Sequence, residues 1–172
     1  MKSLLCIFIM LIMNYSYAYN TSIKGWVNLR MDGITRQTTD FSCGPAALSL
    51  LLNMKFGIDI KEIEIISDII FRSDSGAERS KIENGFSLLD LKQQVERLGY
   101  HAKGVKFEID NELVISEPII IPIEGPEYIH FVVLDRMNKE NATLYDPEIG
   151  KINMPIYELK HRWKGYALLI GG

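Results

Sequence analysis

A glutamine and a cysteine stand six positions apart, as Gln37 and Cys43, at the start of an apolar stretch with helical spacing. The N-terminus of a helix carries unpaired N–H groups and about half a positive charge, which favours a thiolate over a thiol. A thiolate is a nucleophile, and a glutamine amide can join a backbone N–H in stabilising the oxyanion of a tetrahedral intermediate. The pair therefore predicts acyl transfer at a cysteine.

The cysteine count is compatible with this chemistry but also with a simpler role. The chain has two cysteines, and Cys6 lies in a segment that we expect to be removed on export. Cys43 would then have no partner for an intramolecular disulfide, which is the usual role of cysteine in exported proteins. The alternative is that Cys43 is a small buried hydrophobic residue of the core.

A cysteine nucleophile needs a base, for which the chain offers three histidines. His101 follows the predicted end of a helix, and His161 lies in a charged segment, so we expect both at the surface. His130 precedes the apolar strand residues 131–134, where a rigid element can hold its ring. His130 is therefore the candidate base.

A hairpin argument supplies an acid for this histidine. If residues 128–135 and 141–146 pair in antiparallel fashion about Asn138, His130 faces Asp146. Side chains that face each other across two strands have Cβ atoms roughly 5 Å apart. The argument depends on the register, because a slip of one residue moves every side chain to the opposite face.

A competing acid and two simpler interpretations of Asp146 remain. Asp135 competes for the role, but it follows Leu134 and by alternation points away from the face of His130. Asp146 precedes Pro147 and can cap the backbone of a turn. The histidine and the aspartate could also meet only as a polar rim at the end of the sheet.

The predicted elements fall into helices followed by strands. Ser87 and Asp90 form a capping-box pattern, and glycines follow two of the predicted helix ends. The helices are predicted at residues 44–56, 59–70 and 88–98, a loop at 72–85, strands at 100–107, 118–123, 128–134, 142–145, 151–154 and 166–170, and a short helix within 156–163. This order predicts an α+β fold in which N-terminal helices pack on a C-terminal antiparallel sheet.

Residues 1–18 are typical of a secretory signal peptide. Lys2 precedes a ten-residue apolar run at 4–13, and Ser16, Tyr17 and Ala18 form the expected cleavage site. Ten apolar residues are too few to cross a bilayer of roughly 30 Å, although a permanent anchor is the alternative. We therefore expect one domain at residues 19–172, in the periplasm or outside the cell.

Composition excludes several other classes of function. The formal net charge is −3, and no basic cluster is present, so nucleic acid is not an expected partner. The sequence has no glycine-rich phosphate loop and no paired cysteine or histidine spacing typical of a metal site. No cofactor or metal is expected.

These features resemble the bacteriocin-processing cysteine peptidases, the papain-like domains that cut double-glycine leader peptides at the front of peptide-exporting ABC transporters. The similarity runs from about residue 37 to 170 and rests on Gln37, residues 43–48, the predicted helix at 87–99, residues 130–133, Asp146 with Pro147 and Gly150, and residues 163–166. It implies a papain-like fold, with Cys43 as nucleophile, His130 as general base and then acid, Asp146 as the residue that orients His130, and Gln37 as oxyanion donor.

The resemblance also implies a peptide or protein substrate, with small residues or a double glycine before the cut, and an association with an export system. Ser42 stands where many members of that family have an acidic residue directly before the cysteine. The chain lacks the transmembrane and ATPase parts of the transporters, so we expect an exported, free-standing peptidase. The alternatives are a cell-envelope peptide amidase of papain-like fold and a non-catalytic peptide-binding module.

Overall fold

The structure is a computed structural model, and it describes residues 29–39, 41–74, 76–110, 112–125 and 128–172. The predicted signal peptide and Cys6 lie outside these residues. Within these ranges, no helix combines the length and the apolar character that crossing a membrane requires.

Helices come first along the described chain, and strands follow. The elements are α1 (Cys43–Phe56), α2 (Glu62–Phe71), α3 (Ala77–Asn84), α4 (Leu88–Arg97), β1 (His101–Lys106), β2 (Ile119–Glu124), β3 (Ile129–Met137), β4 (Asn141–Asp146), β5 (Gly150–Pro155), α5 (Ile156–Arg162) and β6 (Tyr166–Gly171). The described strands form one antiparallel sheet in the order β1-β6-β2-β3-β4-β5. The predicted α+β fold, with helices packed on an antiparallel sheet, is confirmed.

Both faces of the sheet are covered, which explains the apolar character of its central strands. Phe131 and Val133 of β3 face the cluster that contains α1, α2 and α4. Val132 and Leu134 alternate with them and face a second cluster that includes the Leu159 side chain of α5. His130 is therefore carried by a strand that is packed on both sides.

Local sequence signals account for where the helices begin and end. Gly57 adopts a left-handed conformation with φ 68°, and its N–H donates to the carbonyl of Asn53 at the end of α1. At the start of α4, the Ser87 hydroxyl accepts from the Asp90 N–H while the Asp90 carboxylate accepts from the Ser87 N–H. The predicted capping box is confirmed.

The prediction of a loop over residues 72–85 is wrong, because α3 occupies residues 77–84. None of the residues of α3 is buried, so the helix has no apolar stripe that periodicity could detect. Its residues include the good helix formers Ala77 and Lys81, and glycines with positive φ, Gly76 and Gly85, flank it.

The predicted register of the β3–β4 hairpin is also wrong, by two residues. Leu134 pairs with Leu144 and not with Ala142 as predicted. The displacement is even, so the same side chains still share a face. Asp146 lies diagonally across from His130 and not directly opposite it, and diagonal neighbours remain within reach of long side chains.

The turn and a bulge together explain the displacement. The side-chain oxygen of Asn138 accepts from the N–H groups of Glu140 and Asn141, so the turn lies later in the chain than a centre at Asn138 requires. Met137 consequently pairs with Ala142, three positions from the prediction. A β-bulge between Leu134 and Arg136 then takes up one residue, which leaves a net displacement of two.

Candidate active site

Cys43 is the first residue of α1, and its side chain is buried at the base of a cleft. Ten of the 14 residues of α1 are buried, so the helix that carries the cysteine is fixed by packing on every side. A Cβ atom on the following residue, Gly44, would lie 3.4 Å from side-chain atoms of both Leu91 and Phe131. The glycine thus allows the start of α1 to approach β3 closely.

His130 and Asp146 form a buried hydrogen-bonded pair. The distance between His130 Nε2 and Asp146 Oδ1 is 2.9 Å, and both side chains are 6 % exposed. Asp146 Oδ1 also accepts from the backbone N–H groups of Glu148 at 2.7 Å and Ile149 at 3.2 Å. The carboxylate is therefore held by the turn that follows β4 and in turn orients the imidazole ring.

The surroundings of His130 favour its protonated form. Burial alone would lower the pKa of His130, but the hydrogen bond to Asp146 and the neighbouring Cys43 side chain outweigh it and raise the pKa from 6.5 to about 10. Nδ1 of the ring is buried and has no hydrogen-bond partner among the described residues. Cys43 thus lies close enough to raise the pKa of the ring although its bond to Nδ1 is not fully formed, and such bonds commonly tighten only when substrate binds.

The backbone of Gln37 is attached to the loop that carries Asp146. The N–H of Gln37 donates to the carbonyl of Pro147, the residue after Asp146, at 3.1 Å. The side-chain oxygen of Gln37 is buried and has no hydrogen-bond partner among the described residues. The Gln37 oxygen therefore does not bind the side chain to any other part of the chain that the structure describes.

The other candidates from the sequence lie elsewhere. His101 on β1 and His161 on α5 are exposed, as predicted. Asp135 is buried at the bulge of β3 and its carboxylate pairs with Arg136. The structure thus brings Cys43 and Asp146 together around His130.

Comparison with known proteins decides the family. Residues 32–171 match the profile of the peptidase C39 family. The chain belongs to the peptidase C39 family. It is 32 % identical over 143 residues to the "Probable functional amyloid protease FapD" of Pseudomonas fluorescens. The alignment covers 83 % of this chain and 62 % of that protein. The chain thus spans about three-fifths of the length of this curated relative.

Solved structures of C39 peptidase domains share the fold. A double glycine motif protease from an AMS/PCAT transporter, in complex with the leader peptide, superposes with a TM-score of 0.63 at 23 % identity, over 80 % of this chain and 89 % of that one. The peptidase domain of Streptococcus ComA, a bi-functional ABC transporter, has the same TM-score at 17 % identity, over 80 % and 96 % of the two chains. The papain-like fold that the resemblance implied is confirmed.

The C39 fold of this chain surrounds Cys43 with an apolar cleft that the sequence did not predict. The cleft has a volume of about 870 Å³. Ile82 of α3 lines this cleft together with Tyr128, which precedes β3, Ile129 at the start of β3 and Tyr166 at the start of β6. Each of these four side chains is at least 46 % exposed, and the approach of Ile82 to the other three could not be seen without α3.

One group of described side chains has the spacing of a metal site. Ligand atoms of His130, Asp146 and Glu148 lie within 4.8 Å of one another. Hydrogen bonds from His130 and from the Glu148 backbone to Asp146 already account for the proximity of these residues. The cluster is therefore explained by the hydrogen-bonded pair and the turn that holds it.

Proposed function

We propose that the protein is a cysteine peptidase in which Cys43 is the nucleophile, His130 the general acid and base, Asp146 the residue that orients His130, and Gln37 an oxyanion donor. The observation that carries the proposal is His130, a buried imidazole that hydrogen-bonds Asp146 and whose pKa is raised to about 10 with Cys43 beside it. A protonated imidazole next to a thiol favours the thiolate, which is the reactive form.

The proposed reaction has two halves. The Cys43 sulfur attacks the carbonyl carbon of the scissile peptide bond, and the oxyanion accepts hydrogen bonds from the Cys43 N–H and the Gln37 amide. The imidazolium of His130 gives its proton to the leaving amine as the C–N bond breaks, which leaves a thioester. Neutral His130 then takes a proton from water, the hydroxyl attacks the thioester, and the thiolate leaves as the imidazolium is restored.

Asp146 supports both halves of the reaction. Its carboxylate fixes the ring through Nε2, so Nδ1 is the nitrogen available to the thiol and to the leaving group. A carboxylate at hydrogen-bond distance also stabilises the imidazolium.

We propose a peptide substrate with apolar side chains near the cut and small residues, including a double glycine, directly before it. The apolar cleft at Cys43 supports the first part, because Ile82, Tyr128 and Ile129 offer contacts to apolar side chains. The second part rests on the double glycine motif protease that shares the fold. The name of the Pseudomonas relatives makes proteins of a functional amyloid system a further substrate class to test.

We also propose that the protein is exported and that the signal peptide ends at Ala18. The apolar run at residues 4–13 and the small residues Ser16 and Ala18 before the expected cut support this proposal. N-terminal sequencing of the protein recovered from the periplasm or medium should begin at Tyr19. Recovery of the intact chain only in the cytoplasm would refute it.

The activity is tested with the purified protein and a library of peptides, with Cys43→Ala as the inactive control. We expect cleavage by the native protein that is absent in the variant, with double-glycine peptides among the best substrates. Cleavage of cell-wall fragments alone would replace this proposal with an envelope amidase. Peptide binding without cleavage of either would indicate a binding module.

A further inference from the structure

We infer that Glu62 is a positioning residue that holds Gln37 where its amide can reach the oxyanion. The inference rests on the proposed function, because it assumes that Gln37 is an oxyanion donor. Glu62 is the first residue of α2, and its side chain does not touch the reacting atoms in our mechanism. Its role would be exerted through the segment at residues 37–39.

The contact that carries the inference joins α2 to the residue after Gln37. The Thr38 N–H donates to Glu62 Oε1 at 3.0 Å. Glu62 is 4 % exposed, and within the ranges that the structure describes no cationic side chain forms an ion pair with it. Burying a carboxyl group is costly unless the group forms hydrogen bonds, so the bond from the Thr38 N–H stabilises the buried Glu62 side chain.

Two further bonds attach the same segment, one on each side of this contact. The Gln37 N–H donates to Pro147 O, next to Asp146. The buried Ser42 hydroxyl donates to Thr39 O at 2.8 Å. The backbone that carries Gln37 is thus fixed to α2, to the Asp146 loop and to the start of α1.

The hydrogen bonds of this backbone matter because, among the residues that the structure describes, none is made by the side-chain oxygen of Gln37. Its Oε1 atom has no hydrogen-bond partner within the described ranges. The position of the amide therefore depends on where the backbone places it. A displacement of about 1 Å in a catalytic group can reduce the rate by about 100-fold. Without Glu62, only the Pro147 and Ser42 bonds of this set would remain to hold the segment.

The simpler explanation is that Glu62 only stabilises α2, because an acidic residue in the first turn favours a helix. The two roles predict different effects on two reactions of the same sulfur. Acylation of Cys43 by p-nitrophenyl acetate passes through a tetrahedral oxyanion. Alkylation by iodoacetamide is a displacement at a saturated carbon and forms no such oxyanion.

The experiment compares the rates of acylation and alkylation of Cys43 in the full chain and in Glu62→Ala, Glu62→Gln and Gln94→Ala. We expect Glu62→Ala to lower the acylation rate about 10-fold or more and to leave the alkylation rate within about 2-fold. Glu62→Gln keeps an oxygen that can accept from Thr38 and should restore most of the acylation rate. Gln94→Ala removes another buried polar side chain of a helix, one that hydrogen-bonds Arg97, and should change neither rate.

A double-mutant cycle with Gln37→Ala tests whether Glu62 acts through Gln37. We expect Glu62→Ala to cause little further loss of acylation when Gln37 is already alanine. Equal losses in acylation and alkylation, no loss at all, failure of Glu62→Gln to restore acylation, or additive losses in the cycle would each overturn the inference. Should Glu62→Ala not fold, Glu62→Leu replaces it in the comparison with Glu62→Gln, and circular dichroism checks that both variants are folded.

The same data separate this inference from the proposed function. If Gln37→Ala does not slow acylation, Gln37 is not an oxyanion donor, and the proposed mechanism fails at that residue. If Gln37→Ala slows acylation but Glu62→Ala does not, only the role of Glu62 is overturned.

Discussion

Replacing Asp146 by asparagine removes one charge from the buried pair while keeping its shape. Asparagine retains an oxygen that can accept from the N–H groups of Glu148 and Ile149, which hold the turn after β4. It cannot stabilise the imidazolium of His130 as a carboxylate does. The substitution therefore tests electrostatics with little change in local structure.

The size of the effect follows from the pKa of His130. This pKa is raised from 6.5 to about 10, with Asp146 the largest contributor to the rise. A carboxylate at this distance changes a pKa by about one to three, so we take a loss of about two, or about 3 kcal/mol. The alkaline limb of activity should then move from about pH 10 to about pH 8. The same energy, if expressed fully in the transition state, lowers kcat/KM by about 100-fold.

The assay is the pH dependence of kcat/KM for a peptide found in the library screen, from pH 5 to 11 at fixed ionic strength. In the native protein the imidazolium persists until the pH approaches 10, because the raised pKa keeps the ring protonated below that value. Circular dichroism of Asp146→Asn checks that the fold is kept. An alkaline limb that stays in place in the variant would refute the assignment of Asp146 as the main partner of His130.

Three other substitutions test further parts of the structure. Lys81→Met removes the ion pair between Lys81 and Asp90, which joins α3 to α4. Because Ile82 of α3 lines the cleft, KM for peptides should rise several-fold with little change in alkylation of Cys43. The control Lys92→Met, which removes an ion pair within α4, should change neither. Gly165→Ala should destabilise the protein by clearly more than Gly99→Ala in urea unfolding, because both have positive φ but only at Gly165 would a Cβ lie 2.3 Å from the Phe107 carbonyl oxygen. The pKa of His130 is higher in the folded protein than in the unfolded chain. Protonation of His130 therefore stabilises the fold fully below about pH 6.5, and this contribution is lost as the pH rises through about 10. The difference in free energy of unfolding between the native protein and His130→Gln should accordingly shrink between about pH 6 and about pH 10.5.

The hairpin shows which parts of the site could be predicted from the sequence. Alternation along β3 and β4 is a property of the pleat, so the face shared by His130 and Asp146 survived an error of two residues in register. The turn at Asn138 and the bulge at Asp135 determine the register itself. Both depend on local hydrogen bonds whose competing arrangements the sequence does not distinguish.

The cleft shows what could not be predicted. Helix α3 has no apolar face, so its existence depends on helix-forming residues and on the ion pair from Lys81 to Asp90, a contact between residues nine positions apart. Because α3 was not predicted, nothing in the sequence indicated that the exposed Ile82 lies near Tyr128 and Ile129. The same is true of Glu62, whose contact with Thr38 spans 24 positions and appears in the sequence only as one more acidic residue in a helix.

The reactivity of Cys43 toward iodoacetamide near pH 7 tests the central claim most directly, because it tests for the proposed thiolate before any substrate is known. A free thiol has only a few per cent of thiolate at this pH, so a thiolate paired with His130 should react about 10-fold faster than glutathione. Peptide mapping should place the label on Cys43, and His130→Ala should remove the excess rate. Labelling of Cys43 at or below the rate of glutathione would contradict the account.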